Sequence, residues 1–326
     1  MSHPAYRISI NKSVDRYLFI DFIRFAYAHN FIDIQKAKYY SLGGPFLIDL
    51  KLIHSFYPFL QLTSIEEDRN TFLRQESHKF CKNVNLVNQT SSDFIGDADF
   101  DKQTIFWLDY TKLSREHLDD IAKLAYKLPM GSIIKMTFNV GRPYKPSDLD
   151  KAGFDQNQAV LDFRSKYSAF LPAAPLDFKT ISEQARFETL AYTMVKNAVS
   201  SLLKERKDTV HFEFCDSVVY ADTCPMMSLT GMLLSVADCD KIRANLTEDS
   251  RFSPTVPQEI NMPDLSVLER HRINQKMPSQ DAAELLNALG YPLERGEVSP
   301  CKKSLEMLLL YSKFWHKYPE FVRVNL

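Results

Sequence analysis

Short apolar runs alternate with amphipathic stretches along this chain, and the alternation predicts its elements. Tyr17, Leu18, Ile20, Phe22, Ile23, Phe25 and Ala26 recur at helical spacing and predict a leading helix over 13–29, packed on the domain by its apolar stripe. From residue 37 the pattern changes. A strand ending near Leu42 runs into Gly43-Gly44-Pro45 and a helix over 46–56. A second strand, 61–66, precedes a polar helix over 69–79. Val84–Val87 is a third strand, followed by Ser91-Ser92-Asp93-Phe94-Ile95. Thr104–Leu108 is a fourth, ending in Asp109-Tyr110, and a helix carrying Leu118, Ile121, Leu124 and Ala125 follows. Ser132–Phe138 is a fifth. Strands that alternate with helices imply a mainly parallel sheet covered on both faces. Right-handed crossovers then place the strand C-termini on one edge.

Residues 141–180 carry Pro143, Pro146, Pro172 and Pro175 and read as an irregular insertion or substrate-side loop region. A strong helix is expected over 182–205. Val210–Phe214 and Ser217–Tyr220 then form a strand, the turn residues Ala221-Asp222-Thr223-Cys224-Pro225 follow, and Met226–Leu234 completes an antiparallel hairpin closing the sheet. The proline-rich, polar stretch 245–265 reads as a linker. Beyond it the pattern is helical: Ser279 is placed to cap a helix over Ala282–Leu289, Gly290 to end it, and a last helix covers 302–315. The expected fold class is α/β: a doubly wound, mainly parallel sheet of about seven strands with a terminal antiparallel hairpin, an N-terminal helix and a C-terminal helical tail. The expected division is an N-terminal helical cap over 1–36, the α/β domain over 37–240 with its insertion at 141–180, and a linker with helical region over 241–326.

Composition narrows the class only a little. Hydrophobic content of 45% and charged content of 25% are ordinary for a globular protein. The net charge of -1 supplies no basic field for nucleic acid. Cys81, Cys215, Cys224, Cys239 and Cys301 include no C-x-x-C pair, which points to reduced thiols in the cytoplasm and away from zinc. His54, His78, His117 and His211 are scattered, so no metal is expected. With no basic-then-apolar leader and no run of about 18 apolar residues, the expectation is a soluble cytoplasmic protein without a membrane span.

The chemistry concentrates at the strand ends. A glycine turn after one strand, with a carboxylate at the tip of the next, is how doubly wound proteins hold an adenosine-bearing ligand. Gly43 and Gly44 would let the backbone approach the ligand. Glu66, first of Glu66-Glu67-Asp68, would accept hydrogen bonds from ribose hydroxyls. The plainer alternatives are a bare turn in which glycine supplies a positive φ, and acids favoured by a helix N-terminus. Asp93 is either part of the site or the N-cap of a helix starting at Phe94. Asp109 and Tyr110, beside Trp107 on the ligand edge, could orient a substrate hydroxyl or act as a base.

In order and spacing, the blocks Tyr40–Asp49, Ser64–Asp68, Ser91–Ile95 and Ile105–Tyr110 resemble the seven-stranded, Rossmann-like fold of S-adenosylmethionine-dependent methyltransferases, and best the O-methyltransferases of bacterial genomes, over about residues 38–235. The resemblance implies S-adenosylmethionine as cofactor. It places Gly43 and Gly44, with Ser41, under the methionine part, Glu66 on the ribose, and Asp93 with Phe94 beside the adenine. Asp109 and Tyr110 would face the methyl group and the acceptor. Ser41 stands where these enzymes usually carry an acid and Pro45 where a further glycine is common; Asp49, one helical turn on, is placed to compensate. The fourth strand lacks the Asn-Pro-Pro-Tyr motif that holds a flipped base, which argues against amino-methylation of adenine or cytosine. The leading expectation is O-methyl transfer to an unidentified acceptor. The alternative is a non-catalytic Rossmann-like subunit of a bacterial, phage-defence-type complex, with the C-terminal helices as a protein-binding surface. A nicotinamide-dependent dehydrogenase is disfavoured by the missing G-x-G-x-x-G.

Overall fold

Eight strands form one sheet in the order β3-β2-β1-β4-β5-β7-β6-β8. This is a computed structural model, and it describes residues 9–145, 147, 149, 155–221 and 223–319. Pro146 of the insertion and Asp222 of the hairpin turn lie outside the described residues. The first half runs α1 (Ile10–Ala28), β1 (Lys38–Leu42), α2 (Ile48–Phe56), β2 (Gln61–Ile65), α3 (Arg69–His78), β3 (Val84–Val87), α4 (Ser91–Asp97), β4 (Thr104–Asp109), α5 (Arg115–Lys127) and β5 (Ile133–Asn139). The second half runs α6 (Gln156–Tyr167), α7 (Phe178–Ser182), α8 (Gln184–Leu203), β6 (His211–Ala221), β7 (Pro225–Leu234), α9 (Val236–Glu248), β8 (Gln258–Ile260), α10 (Val267–Asn274), α11 (Ala282–Leu289) and α12 (Lys302–Phe314).

β1 pairs in parallel with both β2 and β4, β2 with β3, and β4 with β5, whereas β5 pairs antiparallel with β7. The chain moves outward through β2 and β3 and then returns to the other side of β1. The switch point therefore lies between β1 and β4, where an open α/β sheet has its ligand crevice. The register Tyr40↔Phe106 and Ser41↔Trp107 sorts the side chains. One face carries Tyr40, Phe106, Leu108, Ile134 and Met136 into a core closed by Leu118, Ile121 and Leu124 of α5 and by Leu190, Met194 and Val195 of α8. The other carries Ser41, Ser64 and Trp107, all fully buried, with Gln75 of α3 hydrogen-bonded to Ser64.

Three sequence expectations are corrected. The segment 141–180 is not irregular throughout: it contains α6, whose start is fixed by a capping box between Asp155 and Gln158. The stretch 245–265 is not only a linker, because α9 runs on to Glu248 and β8 adds an eighth, edge strand. Its prolines lie outside those three strand residues, as an edge strand permits. The cap of α11 is Asp281, which accepts from the backbone of Ala283 and Glu284, while Ser279 bonds Glu284 instead. Gly290 ends α11 in the left-handed conformation with φ 85°.

The chain divides into two compact units. One comprises the described parts of Met1–Phe19, Tyr220–Thr223 and Glu259–Leu326, the other Ile20–Val219 and Cys224–Gln258. The first unit has its own core of Ile273, Leu285, Leu308, Tyr311 and Phe314. Asn11 stitches it together, donating to the Ala221 carbonyl at 2.9 Å and accepting from Met262 N–H at 2.9 Å. The second unit holds all the candidate site residues. Among the described residues no helix is long and apolar enough to cross a membrane.

Leu124 is fully buried between the sheet and α8. Leu124→Ala is expected to lower unfolding stability by about 2–5 kcal/mol, since it removes buried methyls and leaves a cavity. Urea unfolding followed by circular dichroism measures this, and a loss below about 1 kcal/mol would contradict the assigned core.

Candidate functional site

The glycine turn that ends β1 is shaped by contact, not by dihedral angle. Neither Gly43 nor Gly44 has a positive φ; the left-handed residue of this turn is Leu47, at φ 52°. Gly43 is needed for another reason: a Cβ there would sit 2.0 Å from Ser64 Oγ and 3.2 Å from Ser64 Cβ. Gln75, fully buried on α3, completes the clamp. Its Nε2 donates to the Gly43 carbonyl and, at 3.4 Å, to that of Gly44, while its Oε1 accepts from Ser64 Oγ at 3.1 Å. A Cβ on Gly44, by contrast, would meet no atom within 4 Å. The turn is rigid on one side and open on the other. Ser41, at the end of the same strand, is 1% exposed and its Oγ has no hydrogen-bond partner among the described residues. Asp49 is buried in the first turn of α2.

Glu66 follows the last residue of β2, two strand ends from β4. Its backbone is held on both sides: its N–H donates to Val87 at 3.0 Å, and its carbonyl accepts from Asn88 Nδ2 at 2.7 Å. Its carboxylate accepts from Asp68 N–H at 3.0 Å. Partial burial pushes the Glu66 carboxyl up to about 7, opposed by that backbone bond and assisted by the Asp68 and Glu67 charges. Glu67 and Asp68 are exposed, and Asp68 caps α3 through Thr71 N–H. Glu66 is the one half-buried acid of the three.

Asp93 is not an N-cap. Thr90 caps α4 by accepting from Asp93 N–H at 3.0 Å, and Asp93 accepts from the Thr90 hydroxyl at 2.8 Å. Phe94 packs at 5.5 Å from Tyr40 and 6.4 Å from Phe106, in the aromatic cluster beneath the switch point. Asp109 closes β4 opposite Thr137. Tyr110 turns elsewhere: its ring is buried and stacked at 3.8 Å on His117, and its hydroxyl donates to Asp120 at 2.9 Å. Burial and the Asp120 carboxylate raise the phenol well above its ordinary range. The phenol of this expected site residue is thus engaged by a buried carboxylate.

Asp120 of α5 is the hub here. It is fully buried and also accepts from Ser91 and Ser92 at 2.7 Å each. One carboxylate thus joins α5, the end of β4 and the first turn of α4. Sequence reasoning missed Gln75 and Asp120. Each is a polar residue on a buried stripe, Gln75 three positions after Phe72 and Asp120 beside Ile121, and that mismatch was the available signal. A cavity of about 290 Å³ is lined by Lys112 and Leu113 after β4, by Asn139 and Gly141 at the end of β5, and by residues of α6 and α8.

A family model described as "Putative O-methyltransferase" matches residues 4–326. No curated protein matches the chain. Among solved structures, a point mutant of LepI in complex with SAH and a substrate analogue is 12% identical with a TM-score of 0.32, covering 61% of this chain and 43% of LepI. A point mutant of MtNAS is 10% identical with a TM-score of 0.34, covering 68% of this chain and 61% of that one. Precorrin-6y C5,15-methyltransferase from Geobacter metallireducens GS-15 is 12% identical with a TM-score of 0.32, covering 60% and 78%. The chain spans less than two thirds of the first two.

Two outcomes follow from the geometry. Gly43→Ala is expected to cost about 1–3 kcal/mol by overpacking against Ser64, and in a Ser64→Gly background the same change should cost less than half as much; additive costs in this double-mutant cycle would refute the contact. Glu66 binds a proton more tightly folded than unfolded. Its burial therefore costs stability progressively between its ordinary 4.5 and about 7, and fully above that. Glu66→Gln should raise the melting temperature at pH 8 and leave it unchanged near pH 4.5; a fall at pH 8 would show that the charge is stabilising.

Proposed function

This chain belongs to the family described as "Putative O-methyltransferase", and from that premise we propose that it transfers a methyl group from S-adenosylmethionine to an oxygen of its acceptor. The observation that carries the reading is an open glycine turn after β1 beside a neighbouring strand, β2, that ends in a half-buried carboxylate. The residues present fit the cofactor. Gly44 faces open space in which a ligand can approach the backbone. Ser41 Oγ is a buried polar atom in want of a partner. Glu66 is poised to accept from vicinal hydroxyls.

S-adenosylmethionine, when bound, supplies a methyl group made electrophilic by its sulfonium. Gly43 and Gly44 would hold the methionine side of it, and Glu66 the ribose. Asp93 and Phe94 belong to the adenine side, where Phe94 offers a half-buried ring edge. Asp109, at the tip of β4, orients the acceptor hydroxyl and accepts its proton. Methyl transfer needs little beyond in-line placement. The dominant contribution of the protein is then the rigidity of the β1 and β4 ends, held by Gln75 and Asp120.

Titration calorimetry with S-adenosylhomocysteine tests the reading. Binding to the wild-type chain is expected, with affinity reduced about ten- to hundredfold in Glu66→Ala, the scale of hydrogen bonds to a charged group. A folded chain that does not bind at millimolar ligand would refute the assignment.

A further inference from the structure

The cavity between α6, α8 and the segment after β4 has a lining that selects. Its walls are Leu113, Phe163, Phe187 and Met194, all buried, with Tyr167. Phe163 and Phe187 lie edge to face, 6.1 Å apart at 81°, and the Tyr167 ring is tilted 37° against Phe163 at 4.7 Å. Such edges and faces favour another planar ring. The Tyr167 hydroxyl is engaged, donating to the Leu113 carbonyl at 2.9 Å, so the residue presents its ring and pins α6 to the segment after β4. Two polar residues complete the lining, Lys112 and Asn139. Asn139 Oδ1 accepts from Gly141 N–H at 2.6 Å, which fixes the amide orientation and leaves Nδ2–H₂ to offer. Lys112 offers a cation. Both remaining polar groups donate, and among the described residues no lining residue is acidic.

Size adds a limit. At about 290 Å³ the cavity sits at the small end of ligand sites, enough for one ring with a short arm.

We propose that this cavity is the acceptor site and that the acceptor is a small phenolic carboxylic acid, a substrate class that rests on the methyltransferase reading above. The ring lies among Phe163, Tyr167 and Phe187. The carboxylate is recognised by Lys112 and the Asn139 amide. The phenol oxygen lies at the β4 end. There it forms the new O–CH₃ bond as the methyl–sulfur bond breaks. The bonding pair remains on sulfur, giving the thioether of S-adenosylhomocysteine, and the phenol proton passes to the Asp109 carboxylate.

The test uses the full chain, calorimetry and transfer of labelled methyl groups from S-adenosylmethionine. Its probes are 4-hydroxybenzoate, 3,4-dihydroxybenzoate and their methyl esters. The acids are expected to bind the S-adenosylhomocysteine-loaded chain and to accept methyl groups. Lys112→Ala, at an exposed position, should raise the Kd of the acids about tenfold and leave that of the esters unchanged. Leu113→Trp should fill the cavity and abolish acid binding while S-adenosylhomocysteine still binds, which also confirms that the variant is folded. If S-adenosylhomocysteine binds but the acids do not, or if they bind Leu113→Trp as well as the wild type, the acceptor assignment is overturned and the methyltransferase reading stands. If the folded chain binds no S-adenosylhomocysteine, both fall.

Discussion

The approach of β1 to Ser64 is the constraint on which the ligand edge depends. A hydrogen atom is all the space allows at Gly43, with Ser64 Oγ 2.0 Å from where a Cβ would stand. That contact is possible because β1 and β2 run in register, Ser41 beside Ser64 and Leu42 beside Ile65. It sets where the chain leaves the sheet, and Gln75 then ties the departing carbonyls to α3. The strained backbone is displaced to Leu47, a non-glycine residue with φ 52° at the N-cap of α2. Such a residue costs free energy and persists only where its surroundings over-determine it. Here the surroundings are a buried leucine side chain on one side and the clamped turn on the other.

Asp120 does for β4 what Gln75 does for β1. Three hydroxyls, from Tyr110, Ser91 and Ser92, surround one buried carboxylate. A buried charge is tolerated only when its lone pairs are satisfied, and satisfying them requires α4, α5 and the end of β4 to take one relative position. Replacing such a network by apolar side chains can be as stable. What an apolar patch would not supply is direction. The residue before Tyr110 is Asp109, so fixing the phenol fixes the carboxylate at the ligand edge. Lys127, bonding the Ile95 and Gly96 carbonyls at 2.8 Å each, secures the other end of α4 against the same helix.

Wherever local period and local punctuation agree, the element could be read from the chain. The five parallel strands, α5, α8 and the stop at Gly290 are of this kind. The site's outline was legible too, since the strand-tip positions of Gly43, Gly44, Glu66 and Asp109 follow from the alternation of strands and helices. What stayed hidden depends on contacts distant in sequence. β8 is three residues long and has no period of its own; its identity comes from the sheet edge it joins. α6 sits in a proline-dense segment whose breakers flank the helix without entering it. The division of the chain into units follows side chains such as Asn11, which bonds residues 210 and 251 positions away. Tyr110 stands beside Asp109 in sequence, but the bond of its hydroxyl to Asp120, ten positions on, is a contact that no local pattern shows.

Glu66 carries the strongest argument that this edge exists for a ligand. A strand can end in any polar residue, and a helix N-terminus nearby welcomes an acid. Glu67 and Asp68 show that the exposed positions were available for that purpose. Glu66 instead keeps its carboxylate half-buried, near two like charges, with the Asp68 N–H as a donor. In the free protein such an arrangement is unfavourable above neutral pH. Native sequences tend to break local rules of this kind at functional sites. Under the proposed function, the hydroxyl pair of a ribose would supply the donors that the free protein lacks here. Ser41 Oγ, on the neighbouring strand, is likewise buried with no partner among the described residues. Two under-satisfied groups on adjacent strands, flanking a turn kept open at Gly44, are hard to explain as features of folding alone.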